Sequence, residues 1–223
     1  MNTNQLIRRT AFSTPLLTLV FLAVTLTSAP AGAGPFSGRD MVGGRIGAWA
    51  NDGDRGRTDG RMGQEISSSS PYAELFFNHS FSSWFNAELA LGNSKRAELV
   101  SDRLTIIDGI NLYPMQVSLK VYPLGPMGLG KAYPFIQGGV GFSIARQSVR
   151  RIGSITGGSN TKTDFDFLLG GGFDFPVANK IALTVAGKYH RIDFGDGQFL
   201  GASDFSGYSI AVGAAYLFPI GRR

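Results

Sequence analysis

The chain has 223 residues, a formal net charge of +5 and no cysteine. Its length suits one domain of ordinary size, and the absence of cysteine excludes stabilisation by disulfides. Loss of Arg8 and Arg9 with the N-terminal segment would reduce the 21 basic residues to 19 against 16 acidic ones, a net charge of +3. This balance is too mild to indicate a nucleic-acid-binding protein.

The N-terminal segment has the features of an export signal. Two arginines precede the apolar run LLTLVFLAVTL, which leads to small residues spaced as Ala-x-Ala. This order is typical of a secretory signal peptide. We predict a cleaved signal peptide over residues 1–33, with cleavage within 29–34, and one domain over residues 34–223. The alternative, a retained membrane helix, is disfavoured by Pro15 and by interspersed serines and threonines.

The remaining chain alternates with a period of two residues, which predicts β-strands. Helical spacing is not sustained anywhere in this part. Long polar connections alternate with shorter ones, and the fourth connection, PLGPMGLGKA, is intermediate. In chain order, the predicted strands cover approximately residues 40–50, 71–79, 84–92, 111–122, 133–145, 163–175, 180–191 and 207–218.

The last strand, YSIAVGAAYLF, shows which medium surrounds this sheet. Its large residues alternate with serine, alanine and glycine rather than with charged residues. A lipid-embedded barrel directs large apolar residues outward and keeps small or polar residues in its narrow interior. Transmembrane barrels also have an even number of strands, short turns at one end and longer loops at the other. We therefore predict an all-β fold, an eight-stranded antiparallel transmembrane up-and-down β-barrel.

The same alternation places charges of both signs inside the barrel. A buried unpaired charge is costly, so we expect these residues to form an ionic network that plugs the lumen. A polar pore is the alternative, but eight strands leave an interior just wide enough for side chains. The first four residues of the network are expected to be mutual neighbours. The predicted network comprises Arg45, Glu74, Glu88, Lys120, Asp166 and Lys188.

Two central strands carry a family resemblance. The stretch INLYPMQVSLKVYPLG, followed by AYPFIQGGVGFSI, resembles the central strands of outer-membrane β-barrels of the OmpA/OmpW/opacity-protein type. The resemblance extends over approximately residues 40–218. It implies a location in the cell outer membrane and a structural, adhesive or transport role. We expect a structural or surface-interaction role, with an OmpW-like passage for small hydrophobic molecules as the alternative.

Residues for catalysis or metal binding are scarce. The chain has two histidines, His79 in a predicted turn and His190 near the outer end of the seventh strand. The place of His190 is similar to that of a His-x-Ser pair in outer-membrane lipid A deacylases, but Ile192 stands where that serine would be. Without a nucleophile beside its base, covalent acyl transfer lacks its usual route. We predict no enzyme, no catalytic residue, no cofactor and no metal site. Calcium-binding loops containing Asp54 or Asp196 are the less favoured alternative.

The outer loops suggest partners. The third outer loop is basic, and arginine suits phosphate because its planar fork forms paired hydrogen bonds. We expect contacts with outer-membrane lipid and lipopolysaccharide phosphates from Arg146, Arg150 and Arg151. Pairing with the acidic last loop, or adhesion to a host surface molecule, remains open. A small hydrophobic ligand would be favoured by an apolar pocket bordered by Tyr113, Phe142, Phe199 or Phe205.

Overall fold

Eight long β-strands make up most of the described chain. The computed structural model describes residues 36–52, 69–99, 105–151, 158–194 and 204–219, so the predicted signal peptide lies outside the described residues. Within these ranges, no helix has the length and hydropathy needed to cross a membrane. All eight predicted strands are confirmed. They are β1 (Arg39–Asn51), β2 (Ser69–Ser80), β3 (Phe85–Leu99), β4 (Thr105–Val121), β5 (Tyr133–Arg151), β6 (Gly158–Ala178), β7 (Ile181–Ile192) and β8 (Gly207–Pro219).

The strands close into a barrel. Each strand pairs antiparallel with its neighbours in sequence, and β1 also pairs with β8, from Arg39 opposite Pro219 to Asn51 opposite Gly207. Closure removes the unpaired edges of a sheet, so neighbouring strands can satisfy one another's backbone hydrogen bonds. The predicted eight-stranded antiparallel up-and-down topology is therefore confirmed.

The two ends of the barrel differ in their connections. The turn end carries the start of β1, the end of β8 and the connections that follow β2, β4 and β6. The loop end carries the connections that follow β1, β3, β5 and β7. At the turn end, Gly125 has a φ of 50°, and a Cβ on it would lie 2.6 Å from the ring of Trp84. Both the backbone conformation and the close ring therefore require glycine in the β4–β5 connection.

Large apolar side chains face outward. On β4, Val117 and Leu119 are 46% and 47% exposed, whereas Ser118 between them is 5% exposed. Phe167 on β6 is 55% exposed. The alternation continues in β8, where Ile210 points outward and Ala211 inward. This arrangement reverses that of a soluble barrel and suits an outer surface in contact with lipid.

Strands β3 to β6 extend further toward the loop end than the sequence pattern predicted. Predicted loops over residues 93–110 and 146–162 are largely strand, because β3 continues to Leu99 and β5 to Arg151. The β3–β4 ladder is irregular around Ala97 but continues to the pair of Leu99 and Ile107. Strand pairing needs only backbone groups, whereas apolar alternation marks the lipid-facing part alone. The apolar alternation therefore ends before the strands do, and it underestimates their length at the loop end.

The lumen contains more large apolar residues than expected. The prediction of a small or polar interior is wrong at both ends of the lumen, although β8 fits it from Ser209 to Ala215. A loop-end apolar cluster comprises Trp49, Tyr72, Ile110, Leu112, Ala145, Ile192, Phe194, Phe205 and Ala211. A turn-end apolar cluster comprises Phe36, Met41, Phe76, Ala90, Tyr122, Phe135, Ala182, Ala186, Ala215 and Leu217.

Glycines on neighbouring strands make room for these rings. A Cβ on Gly43 would lie 2.8 Å from Cζ of Phe76, and one on Gly172 would lie 2.9 Å from Cζ of Phe135. Such distances are too short for carbon atoms, so each ring occupies space that a larger residue would fill. Alternation along a strand shows which face a residue occupies, but it does not show the residue opposite. The aromatic filling of the lumen was missed for this reason.

Candidate functional site in the barrel lumen

The centre of the lumen is organised around Arg45 of β1. Its guanidinium donates from Nη1 to Oε1 of Glu74 at 2.5 Å and to Oε1 of Glu88 at 3.0 Å. A further bond joins Nη2 to Oε2 of Glu88 at 2.6 Å. The paired bonds to Glu88 use the planar fork of arginine and fix its orientation. Since Arg45 is 1% exposed, these bonds form away from solvent.

Two lysines complete the charge pairing. Lys188 of β7 donates from Nζ to Oε2 of Glu74 at 2.7 Å and to Oε1 of Glu88 at 3.3 Å. Lys120 of β4 donates from Nζ to Oδ2 of Asp174 at 2.8 Å and lies 3.7 Å from Oε2 of Glu88. Three cations therefore face three carboxylates. This ionic cluster comprises Arg45, Glu74, Glu88, Lys120, Asp174 and Lys188.

Neutral groups satisfy further atoms of the ionic cluster. The hydroxyl of Tyr72 donates to Glu74 at 2.6 Å, and that of Tyr122 donates to Asp174 at 2.7 Å. The Arg45 guanidinium carbon lies 3.8 Å from the ring centroid of Phe76. The Lys120 ammonium lies 3.7 Å from the ring centroid of Phe135. Because a buried charge must be both paired and hydrogen-bonded, these contacts lower the cost of burying the cluster.

Strand pairing explains why Arg45 fits at the centre. Its backbone pairs with Glu74 on one side and with Gly213 on the other. A Cβ on Gly213 would lie 2.0 Å from the carbonyl oxygen of Gly44 and 2.8 Å from Cγ of Arg45. Glycine at position 213 therefore lets β8 approach β1 closely beside the arginine stem.

The structure places five of the six predicted network residues in the ionic cluster. Asp166, the sixth, contacts none of the three cations within salt-bridge distance among the described residues. Asp174 belongs to the ionic cluster in place of Asp166, and it pairs with Lys120. The alternation in the sequence already placed Asp174 on the inward face of β6. With Asp174 included, the cluster has three cations and three carboxylates. Parity alone did not indicate which aspartate lies beside Lys120.

Asp166 lies instead in a separate polar group nearer the loop end. Its Oδ2 accepts from the Gln116 amide at 2.5 Å and from the Ser143 hydroxyl at 3.1 Å. Nδ1 of His190 lies 2.7 Å from Nε2 of Gln116 and 3.7 Å from Oδ2 of Asp166. The Asp166 site is defined by Gln116, Ser143, Asp166, His190 and Ser209.

The neighbouring strand brings a serine to His190, contrary to what the local sequence indicated. Nε2 of His190 lies 3.1 Å from Oγ of Ser209 on β8, so serine, histidine and aspartate follow one another in space. However, Nδ1 is closer to Gln116 than to Asp166. Ser209 is 2% exposed, and the ring of Trp49 stacks on His190 at 4.2 Å. The arrangement is a buried hydrogen-bond network without an open face for a substrate.

The predicted phosphate-binding arginines belong to β5. Arg146 is exposed, and its backbone pairs with Asn111 of β4. On its other side, Asn111 pairs with Lys95 of β3. Lys95 is also exposed and, like Arg146, lies on the outward face of its strand. This basic row comprises Lys95, Asn111 and Arg146. Arg150 and Arg151 lie in β5, but their side chains are outside the described part of the structure.

The predicted ligand-pocket residues do not share one face. Tyr113 and Phe142 lie on the outward face, whereas Phe205 belongs to the loop-end apolar cluster and is 1% exposed. Phe199 lies outside the described residues, as do Asp54 and Asp196 of the alternative calcium loops. Within the described residues, no three metal-ligating side chains converge.

The comparisons with known proteins agree with the barrel fold. The family model of the outer membrane protein beta-barrel domain matches residues 19–218. Neisserial surface protein A (NspA) shares 14% identity and a TM-score of 0.55, covering 82% of this chain and 98% of that chain. OprG from Pseudomonas aeruginosa shares 17% identity and a TM-score of 0.55, covering 84% of this chain and 99% of that chain. Ail of Yersinia pestis shares 13% identity and a TM-score of 0.50, covering 81% of this chain and 99% of that chain.

At these identities, the three solved structures establish similarity of fold alone. No curated protein matches the chain in sequence. The family model nevertheless covers most of the chain, so the resemblance seen in β4 and β5 and the predicted outer-membrane location are confirmed. The chain belongs to the outer membrane protein beta-barrel family.

Proposed function

We propose that this protein is a structural or surface-interaction barrel, without catalysis, whose lumen is sealed by the ionic cluster. The observation that carries the proposal is the mutual pairing of three cations and three carboxylates across the lumen. A neutral layer of paired charges offers a passing ion no unpaired countercharge. It also leaves no bare charge to attract a column of water.

The apolar clusters extend the seal toward both ends. Along β1, Arg45 lies between Met41 of the turn-end cluster and Trp49 of the loop-end cluster. Along β2, Glu74 lies in the same way between Phe76 and Tyr72. An ion crossing the lumen would therefore meet apolar, ionic and apolar layers in turn. This order supports a plug rather than a polar pore.

Conductance in planar lipid bilayers tests the seal. We expect the unmodified protein to show no steady current above that of the bare bilayer. Replacing Glu74 and Lys188 together by alanine removes one charge of each sign and opens space, so steady current should appear. Arg146→Ala is the control, because that side chain points away from the lumen. Steady current through the unmodified protein would contradict the seal.

The basic row supports an interaction with anionic groups at the outer surface. Lys95 and Arg146 lie on strands β3 and β5, either side of Asn111, and both are exposed. They lie just beyond the outward-facing Tyr113, as expected for groups near lipid headgroups beyond an aromatic girdle. We therefore assign this row to lipopolysaccharide phosphate. The related barrel Ail has been crystallised with a heparin analogue, sucrose octasulfate, so a sulfated host sugar is the competing ligand class.

Binding to lipid A with and without its phosphates tests this assignment. We expect replacement of both Lys95 and Arg146 by alanine to weaken binding to phosphorylated lipid A and to leave binding to the dephosphorylated form unchanged. Lys131→Ala, at the turn end, is the matched control for loss of an exposed cation. Equal binding by the double variant and the control would contradict the assignment. Weakened binding to heparin alone would favour a host ligand.

The loop-end apolar cluster favours a second candidate function, passage of a small hydrophobic molecule. The aromatic rings of Trp49, Tyr72 and Phe205 line the lumen just beyond the ionic cluster. A hydrophobic probe taken up by vesicles containing the protein would support passage, provided that Phe205→Asp abolishes the uptake. Vesicles containing the unmodified protein are expected to show no uptake beyond that of protein-free vesicles. Uptake by the unmodified protein would replace the sealed-barrel proposal.

A further inference from the structure

The Asp166 site contains a carboxylate that is not balanced by a fixed cation. The ionic cluster pairs its three cations with three other carboxylates. Asp166 is 0% exposed, and among the described residues the nearest group able to carry positive charge is the His190 imidazole, 3.7 Å away. Oδ1 of Asp166 and Oε1 of Gln116 have no hydrogen-bond partner among the described residues. The site therefore has both a spare negative charge and a spare acceptor.

We propose that the Asp166 site is a proton-linked switch, in which protonation of His190 reverses the side-chain amide of Gln116. The switch needs no movement of the strands, because an amide has nearly the same shape in its two orientations. It uses Oε1 of Gln116, an acceptor that the present arrangement leaves without a partner among the described residues. Asp166 supplies the negative charge that holds the added proton.

In the present arrangement, the amide nitrogen of Gln116 faces both neighbours. Its N–H groups donate to Oδ2 of Asp166 at 2.5 Å and to Nδ1 of His190 at 2.7 Å. An Nδ1 atom that accepts a hydrogen bond carries no proton, so the imidazole is neutral. Its protonated Nε2 then donates to Oγ of Ser209 at 3.1 Å. The neutral imidazole is thus held at both nitrogens.

A proton added at Nδ1 makes that arrangement impossible. Both Nδ1 and the Gln116 amide nitrogen would then be donors, facing each other at 2.7 Å. Rotation of the amide places Oε1, the unpartnered acceptor, where it can accept from Nδ1. Asp166 loses one amide donor but keeps the Ser143 hydroxyl and gains an imidazolium as its neighbour. The amide nitrogen of Gln116 gives up both of its present acceptors and takes the former place of Oε1.

The surroundings leave Asp166 as the main countercharge for the imidazolium. Lys188 precedes His190 by two residues on β7, but it is paired with Glu74 of β2 at 2.7 Å. From β1, the contact is the stacked ring of Trp49, and from β2 it is the edge of Tyr72, whose hydroxyl donates to Glu74. Strands β4, β5 and β8 contribute Gln116, Ser143 and Ser209, which carry no charge.

Trp49 makes the switch observable. An imidazolium quenches a stacked indole more strongly than a neutral imidazole does, and Trp49 lies 4.2 Å from His190. The chain has two tryptophans and two histidines, so single substitutions isolate each signal. In a Trp84→Phe background, only Trp49 emits. His79 lies at the turn end beside Asp40 and provides a matched histidine control.

The experiment follows Trp49 emission in detergent from about pH 8 to about pH 4, the range in which histidine takes up a proton. We expect a sigmoidal loss of emission on acidification. The loss should persist in His79→Gln and disappear in His190→Gln. An acid-induced loss that survives His190→Gln, or its absence from the parent protein, would overturn the proposal.

A second variant keeps the test valid if His190→Gln does not fold. Asp166→Asn preserves the shape of the site and removes the negative charge that holds the proton. We expect the midpoint pH of the emission loss to be lower in Asp166→Asn than in the parent protein. A shift of about one pH unit corresponds to a lost attraction of about 1.4 kcal/mol. An unchanged midpoint would overturn the role given to Asp166. Nitrogen NMR of Gln116 should show its amide changing at the same midpoint; an amide unaffected by pH would overturn the reversal.

Discussion

The ionic cluster and the Asp166 site lie side by side in one lumen, yet they differ in how their carboxylates are paired. Lys188 and His190 lie two residues apart on the same face of β7 and belong to different groups. Lys188 joins a set in which every carboxylate meets at least one fixed cation. In the described part of the chain, Asp166 meets only groups that are neutral or that become charged by taking up a proton. A barrel wall can therefore carry a locked charge network beside one that responds to pH.

Removing Arg45 should have the largest effect on this comparison. Arg45→Ala leaves Glu74 and Glu88 buried with less positive charge than they need. We expect the free energy of unfolding in lipid vesicles, measured by urea titration, to fall by about 3–5 kcal/mol. A loss below about 1 kcal/mol would mean that the ionic cluster contributes no more to stability than exposed ion pairs do.

The pair of Lys120 and Asp174 separates the cost of breaking a pair from the value of having one. Lys120→Met alone leaves Asp174 buried without its ammonium partner and should cost about 3 kcal/mol. Adding Asp174→Leu removes the stranded charge, and the double variant should recover most of that loss. The measurement is the same urea titration. If the double variant were no more stable than Lys120→Met, then burying Asp174 without its partner would not be what destabilises the folded protein.

Asp166→Asn should have a smaller effect near neutral pH. This carboxylate has no fixed cation to lose, and asparagine can accept the same hydrogen bond from Ser143. We expect the free energy of unfolding to change by about 1 kcal/mol or less. A loss as large as that of Arg45→Ala would mean that Asp166 is paired as firmly as the carboxylates of the ionic cluster. The contrast between the two regions would then disappear.

Much of this arrangement could be predicted because lipid imposes a simple rule on each strand. The outward alternation of Val117 and Leu119 fixed the parity of β4 and thereby placed Lys120 inside. The same rule applied to β1, β2, β3 and β7 placed Arg45, Glu74, Glu88 and Lys188 inside, and the structure has all four in the lumen. The face on which a side chain lies follows from its position along the strand, so one sequence is enough to infer it.

Contacts between strands could not be predicted in the same way. Asp166 and Asp174 share one face of β6, and the registers of β6 with β5 and of β5 with β4 determine which of them meets Lys120. The contact between Ser209 and His190 likewise depends on the register of β7 with β8. A shift of the register by two residues would preserve every inward parity but change these partners. Sequence periodicity therefore predicted the composition of the lumen better than its pairing.

A double-mutant cycle between Arg45 and Glu88, measured as free energies of unfolding in lipid vesicles, tests most directly whether the ionic cluster acts as one unit. We infer that its six charges do so, with the paired bonds between these two residues at its core. We predict a coupling energy of at least about 2 kcal/mol between Arg45→Ala and Glu88→Ala. Effects that add to within about 0.5 kcal/mol would contradict the claim, because independent sites behave in that way.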